Sequence, residues 1–292
     1  MKSEHKNAIV ADKIATVILY CIAGFFLLLL AGFTAYIIVK GIMAYQPGIF
    51  SFERTGIGVE LFNTVYLVLI SLIISVPIGV GAGIYMAEYA KAGKVTNYLR
   101  ICIETLSSLP SIVIGLFGYL VFIYMTGSKY NLFAGALAVS ILSLPLLTTV
   151  TEDAIRAVPS IYKEGSLAVG ATHWQTIVQI CLPVATPRII TGVILAAGRG
   201  FGEAAALLYT AGMSSNVNLN IWNPFDPMSL LCPFRPGDTL ALHIWALKTE
   251  SMTPNADQIA NFSAAVLLVL IFAFSLGSRL LGARLDRKMS GK

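Results

Sequence analysis

Six long apolar stretches run through this chain, and they leave few folds open to it. A bilayer core about 30 Å thick is crossed by about 20 helical residues rising about 1.5 Å each. The stretches are approximately Ile14–Val39, Leu61–Ala87, Thr105–Ser128, Asn131–Thr151, Ile189–Gly212 and Gln258–Ser278. Five of them contain no Asp, Glu, Lys or Arg, and the fifth in order holds Arg199 and Glu203. Of the 292 residues 57% are hydrophobic and 12% charged, about half the roughly 25% charge of a soluble domain. A soluble fold has no interior large enough for that much apolar surface. The expected fold is therefore an all-α integral membrane protein with six transmembrane helices.

The balance of 20 Lys and Arg against 15 Asp and Glu is basic, yet the cations sit in short clusters between apolar runs. That placement reads as membrane topology and gives no sign of nucleic acid. With the N-terminus inside, Lys2, Lys6, Lys13, Lys91, Lys94, Arg100, Arg156, Lys163, Arg188, Arg279, Arg284, Arg287, Lys288 and Lys292 are cytoplasmic. Lys40, Arg54, Lys129, Arg235 and Lys248 are then outside, a ratio of fourteen to five that predicts both termini in the cytoplasm. The first apolar run is too long for a signal-peptide core and reads as a retained span after a cytoplasmic segment 1–13, with a membrane domain over 14–292. Cys21, Cys102, Cys181 and Cys232 fall in different segments, with neither metal-ligand nor disulfide spacing.

Two connections are long enough to carry structure, a cytoplasmic one at 152–188 and an outer one at 213–257. The outer one holds Trp222, Pro224, Phe225, Pro227, Pro233, Phe234, Pro236 and Trp245, a pattern suited to interfacial anchoring or to docking of an external partner. Pro77, Pro110 and Pro145 are expected to interrupt the second, third and fourth spans, with small residues allowing close helix contact. In the cytoplasmic connection, Pro159 and Ser160 mark a helix start, and Gly170 with Thr172 a break and a second start. Leu167, Trp174, Ile177 and Ile180 are its packing residues.

This connection resembles the permease subunits of binding-protein-dependent ABC importers. Their cytoplasmic loop reads Glu-Ala-Ala, three residues, Gly, nine residues, Ile-x-Leu-Pro. Here Glu164, Gly165 and Ser166, then Gly170, then Ile180, Leu182 and Pro183 match at every spacing, with Gly165 and Ser166 standing for two alanines. The resemblance implies the type I importer permease fold, in which the helix before the glycine enters a groove on an ATP-binding subunit. ATP would then be bound by that partner, and the chain itself has no GxxxxGK[ST] loop to cradle phosphates. The chain is expected to be a transport subunit without a catalytic site, cofactor or metal of its own.

Arg199 and Glu203 are four residues apart and are expected on one face of the fifth span. A charge at that depth costs about 2.5–3.5 kcal/mol or more, so it faces protein or water. Two readings stay open: a pair in which each satisfies the other, or a site for an anion in transit. The planar fork of arginine suits an oxyanion, and a neighbouring carboxylate can accept the O–H of hydrogen phosphate, which sulfate lacks. The segments GVILAAGRGFGEAAALL and LSSLPSIVIGLFGYLVF look like the fifth and third spans of phosphate-importer permeases of the PstA type, although Ala204, Ala205 and Ala206 replace the Thr-Ala-Pro that follows the glutamate there. That likeness implies a PstC-type second permease, two ATP-binding subunits and an external phosphate-binding protein, in a bacterial cytoplasmic membrane. Sulfate, molybdate and phosphonate are alternative cargoes, and a non-transporting membrane scaffold is the alternative role. Asn63, Thr64, Ser107, Ser108 and Ser111 are further candidates for the path, or else for hydrogen bonds between helices.

Overall fold

A computed structural model describes residues 2–52, 56–214, 217–250 and 255–289, with side chains omitted for 2–9, 281 and 283–289. Arg54 and Lys292 lie outside the described residues, as do the side chains of Lys2, Lys6, Arg284, Arg287 and Lys288. The regular elements of the described residues are all helical, and no strand occurs among them.

Helix α1 (Lys2–Met43) is followed by α2 (Gly58–Ile84), which ends in a wider turn over Tyr85–Tyr89. Next come α3 (Lys94–Ser108) and α4 (Ser111–Gly118), the latter extended by a similar turn to Tyr124. Helix α5 (Leu132–Arg156) leads to α6 (Ser160–Ala168), and α7 (His173–Thr176) runs through a wide turn into α8 (Leu182–Gly202). The chain closes with α9 (Ala205–Leu208), α10 (Leu240–Thr249) and α11 (Ala256–Met289). Five stretches, in α1, α2, α5, α7–α8 and α11, are long and apolar enough to cross a membrane as single helices. Among the described residues one further pair, α3 with the run from α4 to Tyr124, passes the same test when taken together, and it is bent by 101°.

That bend corrects the continuous third span expected over Thr105–Ser128. Proline disfavours the helical region for the residue before it. Leu109 is accordingly extended, with ψ at 135°, and Pro110 stands before the first turn of α4. Pro77 and Pro145, by contrast, lie inside unbroken α2 and α5. Of the three prolines expected to interrupt spans, only Pro110 ends a helix.

The centre of the bundle is α2 against α5, with α8 on both. Glycines on α2 set the spacing: a Cβ on Gly79 would fall 2.6 Å from Leu147 Cβ, and one on Gly83 2.5 Å from Thr151 Cβ and 2.7 Å from the Thr148 carbonyl oxygen. Small residues four apart thus let the two backbones approach closely. Gly83→Val is expected to destabilise the fold by about 1–3 kcal/mol through overpacking, read as a lowered melting temperature of the detergent-solubilised protein.

The end of α1 meets the start of α11, where Tyr45 and Phe50 both pack on Phe262. At the opposite end of α11, Gly282 approaches Ile190 in the first half of α8. The start of α1 and the end of α11 therefore lie toward the end of the bundle that carries α6. The 213–257 connection covers the other end. Tyr66 donates to the Leu231 carbonyl at 2.7 Å, and Leu132 and Phe133 donate backbone N–H groups to the Arg235 and Pro233 carbonyls. Trp222, Phe225 and Phe234 of this connection are exposed.

Candidate functional site

At the α6 end, the expected helix boundaries are present. Helix α6 starts after Pro159, and Gly170 takes φ at +90°. Thr172 caps α7 in a reciprocal pair, its hydroxyl accepting from Gln175 N–H while the Gln175 side chain accepts from Thr172 N–H. The second helix does not stop as a short element. It continues from His173 through the wide turn at Ile177–Cys181 to Gly202, so α7 and α8 form one continuous helical run. Ile180, Leu182 and Pro183 sit at this junction, all half-buried.

Leucine 167 and Trp174 are exposed at 46% and 59%, and Ile161, Tyr162 and Val169 are exposed with them, whereas Ile177 is fully buried. Glu164 and Gly165 are exposed too, and a Cβ on Gly165 would meet nothing within 4 Å. The small residue there answers no need of this chain's own packing. Ser166 adds a hydrogen bond across the joint, its Oγ 2.9 Å from Thr176 Oγ1. At Gly170 a side chain would have space but would be strained by the positive φ, so Gly170→Ala is expected to cost about 1–2 kcal/mol. Hydrogen exchange of the 160–180 backbone measures it, with faster exchange expected in the variant.

Two buried carboxylates tie helix ends together here, and one of them, Glu88, holds α6. Glu88, at the end of α2, accepts from Lys163 at 2.5 Å and has His173 Nε2 at 3.7 Å. The His173 ring also meets Tyr89 edge-on at 5.2 Å. Glu152, near the end of α5, accepts from Arg100 of α3 at 2.8 Å and from Arg156 at 3.0 Å, and Arg156 also donates to the Met86 carbonyl. The carboxylates are 8% and 7% exposed, so each cation facing them offsets a desolvated charge. A displacement of α6 is therefore felt directly at the end of α2, through Lys163 and Glu88, and at the end of α5, where Lys163 also donates to the Ile155 carbonyl. The spacing motif gave no sign of Glu88 or Glu152, which lie outside it.

The fifth span departs from the expected continuous helix over Ile189–Gly212. Helix α8 ends at Gly202, Glu203 is extended with ψ at 124°, and α9 restarts at Ala205. Arg199 and Glu203 consequently do not share a helix face. Glu203 is buried, and its carboxylate accepts the Ala206 N–H at 3.0 Å, holding the restart of the chain. Arg199 is exposed in the last turn of α8, at one end of a stripe of exposed residues that runs Val184, Arg188, Thr191, Leu195, Arg199, Gly202. Among the described residues no hydrogen bond or ion pair joins Arg199 to Glu203. The mutual pair is thus not formed.

This break adjoins the one at Pro110. A Cβ on Gly115 of α4 would fall 2.8 Å from Ala206 Cα, and Leu109 packs on the cluster of Ile114, Leu142 and Ala206. Ser107 and Ser108 are exposed beside the bend, and Ser111 is half-buried. Gly198 and Gly202, flanking Arg199, have open space where a Cβ would stand.

Asn63 and Thr64 are buried and structural. Asn63 donates to the Asp238 carbonyl at 2.8 Å, and Thr64 Oγ1 accepts from Leu240 N–H at 2.9 Å. They tie α2 to a polar cluster that sequence reasoning missed. Arg235, 1% exposed, donates to Asn63 Oδ1 at 2.5 Å and to the Leu230 and Pro236 carbonyls. Burial lowers its guanidinium to about 10. Asp238 is raised by burial, which outweighs the hydrogen bond and charge of His243. His243 is lowered by burial but raised on balance by the hydrogen bond and charge of Asp238 and the charge of Glu60.

Residues 79–291 match the family model described as binding-protein-dependent transport system inner membrane component. The chain is 46% identical to the probable ABC transporter permease protein YqgI of Bacillus subtilis, over 97% of this chain and 99% of that one. It is 31% identical to the phosphate transport system permease protein PstA of Xylella fastidiosa, over 78% of this chain and 75% of that one. A crystal structure of a bacterial alginate ABC transporter, in complex with an alginate pentasaccharide-bound periplasmic protein, contains a chain of the same fold. The superposition has a TM-score of 0.68 at 14% identity and covers 96% of this chain and 98% of that one.

Proposed function

Because this chain belongs to the family of binding-protein-dependent transport system inner membrane components, we propose that it is the PstA-type permease of a phosphate importer, with Arg199 on the path of the anion. It is a membrane-spanning permease subunit of an ABC importer, a transport component and not itself an enzyme. Importers of this family work with ATP-binding subunits and a substrate-binding protein.

The observation that carries the phosphate reading is the placement of Arg199. An arginine at the end of an apolar helix, on a face that its own chain leaves uncovered, is costly against lipid. That face must meet protein or water, which a second permease of the PstC type around a shared path would supply. The adjacent breaks at Pro110 and Glu203 have the character of transporter sites, where discontinuous helices bring backbone polar groups to the midplane. Glu203 shapes the break as a positioning residue, and Arg199 supplies the charge and the planar fork for an oxyanion. The likeness to PstA proteins supports phosphate over other oxyanions.

Coupling follows from the α6 end. The exposed Leu167, Val169 and Trp174, with Glu164, Gly165 and Ser166 beside them, form the surface that docks on the ATP-binding subunit, with Gly170 setting its turn. Lys163 and Glu88 pass its displacement to α2, and the continuous run through Ile180, Leu182 and Pro183 passes it up α8 toward Arg199. We place this end in the cytoplasm, with both termini, because it carries the cation excess. The exposed Trp222, Phe225 and Phe234 at the other end then face the binding protein.

Selectivity tests the cargo. The complex of this chain with its partner subunits, in liposomes, is expected to take up phosphate in preference to sulfate and molybdate. Preference for either of the latter would overturn the cargo while leaving the importer role intact.

A further inference from the structure

We propose that α3 lies on the cytoplasmic membrane surface and binds anionic phospholipid, its apolar stripe set among the upper acyl chains and Lys91 and Lys94 among the headgroups. No residue of α3 is buried within the chain. Val95, Tyr98, Cys102 and Leu106 recur at spacings of three and four and form one stripe, of which Val95, Tyr98 and Leu106 are exposed. Asn97, Glu104 and Ser107 are exposed on the opposite face. Between the two faces run Thr96, Leu99 and Ile103, all half-buried, on the side where α3 packs on α5. An apolar face and a polar face on either side of a protein contact are what a helix at a membrane surface needs.

The placement of α3 agrees. It is bent by 101° from the run Ser111–Tyr124, which enters the bundle with Gly115 against Ala206 and Gly118 against Thr210. Helix α3 therefore lies across the bundle and not along it. Arg100 binds Glu152 near the end of α5, which fixes α3 at the α6 end. Tyr85, in the wide turn that ends α2, is exposed, and with Tyr98 it supplies the apolar ring and polar tip suited to headgroup level.

Charge selects lipid as the occupant. Lys91 and Lys94 stand at the start of α3, both exposed, and among the described residues no ion pair holds either. Arg100 and Arg156, by contrast, are bound to Glu152, and Lys163 to Glu88. Thr96 Oγ1 donates to the Lys91 carbonyl at 2.6 Å, which holds the entry to the helix. The surface that satisfies free lysines and an apolar stripe together offers anions and water above and hydrocarbon below. A bilayer with anionic headgroups does so, whereas a protein seated on the stripe would desolvate the lysines. Because Arg100 holds Glu152, the seating of α3 is passed to the end of α5. The inference uses the cytoplasmic placement of the α6 end proposed above and is independent of the cargo.

The test is hydrogen exchange over the backbone of 94–108, with the whole complex in nanodiscs of phosphatidylcholine alone or mixed with phosphatidylglycerol. Exchange is expected to be at least about tenfold slower with the anionic lipid, because two lysines near such a surface act together. High salt is expected to shrink the difference. Lys91→Gln combined with Lys94→Gln is expected to remove most of it. Equal exchange in the two lipids overturns the proposal, whether fast in both, as for a free helix, or slow in both, as for a helix covered by a partner subunit. A difference that the double variant keeps in full overturns it as well, and the wild-type comparison decides even where the variant does not assemble. Nanodiscs present both membrane faces and no cargo is added, so failure here is distinct from failure of the orientation or of the phosphate reading.

Discussion

Arg199→Ala is expected to lower ATP-driven phosphate uptake at least about tenfold while the complex still assembles, because each charge-assisted hydrogen bond it gives an oxyanion contributes about 1.5–3 kcal/mol. Assembly is spared because Arg199 is exposed in this chain and the core clusters do not include it. Arg199→Lys separates charge from geometry: it keeps the positive end but loses the fork, and an intermediate rate is expected. The measurement is the initial rate of labelled phosphate entry into proteoliposomes, alongside the yield of intact complex. A normal rate in Arg199→Ala removes the residue from the path. Reduced yield with normal uptake per complex returns it to a structural role at the C-terminal end of α8, where a cation also suits the helix dipole.

The second large effect is expected at the other end of α8. Trp174→Ala combined with Leu167→Asp replaces two exposed apolar side chains, so the fold of the chain is left in place. In the proposed docking on an ATP-binding subunit they are the central anchors, and the loss of such an aromatic typically costs about 2 kcal/mol or more in binding. Phosphate uptake is expected to fall to background, and the ATP-binding subunits to dissociate more readily on size-exclusion chromatography. Retention of both activities would show that coupling uses another surface.

The helix boundaries of the 152–188 connection were legible in the sequence because their signals are local. A proline followed by serine starts α6, a glycine ends it with a positive φ, and a threonine with glutamine three residues on starts α7. The membrane spans were legible for a similar reason, since their length and lack of charge leave the backbone no alternative to helix. What escaped was decided by tertiary context. The break at Glu203 falls in a run of alanine and leucine with high helix propensity, and its only local warning is Gly198, Gly200 and Gly202 just before it. The bend at Pro110 had its signal, yet a proline alone does not say whether a span breaks there or runs on, as α2 does through Pro77.

The buried partners were the least legible. Glu88 and Glu152 look like ordinary interfacial acids in sequence, and only packing brings Lys163 to one and Arg100 to the other. Arg235 lies in a proline-rich connection where an exposed arginine is the ordinary expectation, and it is buried because Asn63 and two carbonyls receive it. Such residues are revealed by where a charge is desolvated and not by spacing along the chain.

The central claim is that this chain moves phosphate inward when a partner hydrolyses ATP. Its most direct test is accumulation of labelled phosphate in liposomes bearing the whole complex and its binding protein, with ATP on the α6 side. Accumulation against a gradient with ATP, and none with a non-hydrolysable analogue, is the result expected. Phosphate entry that is the same with and without hydrolysis, or no phosphate entry while ATP is consumed, would contradict it.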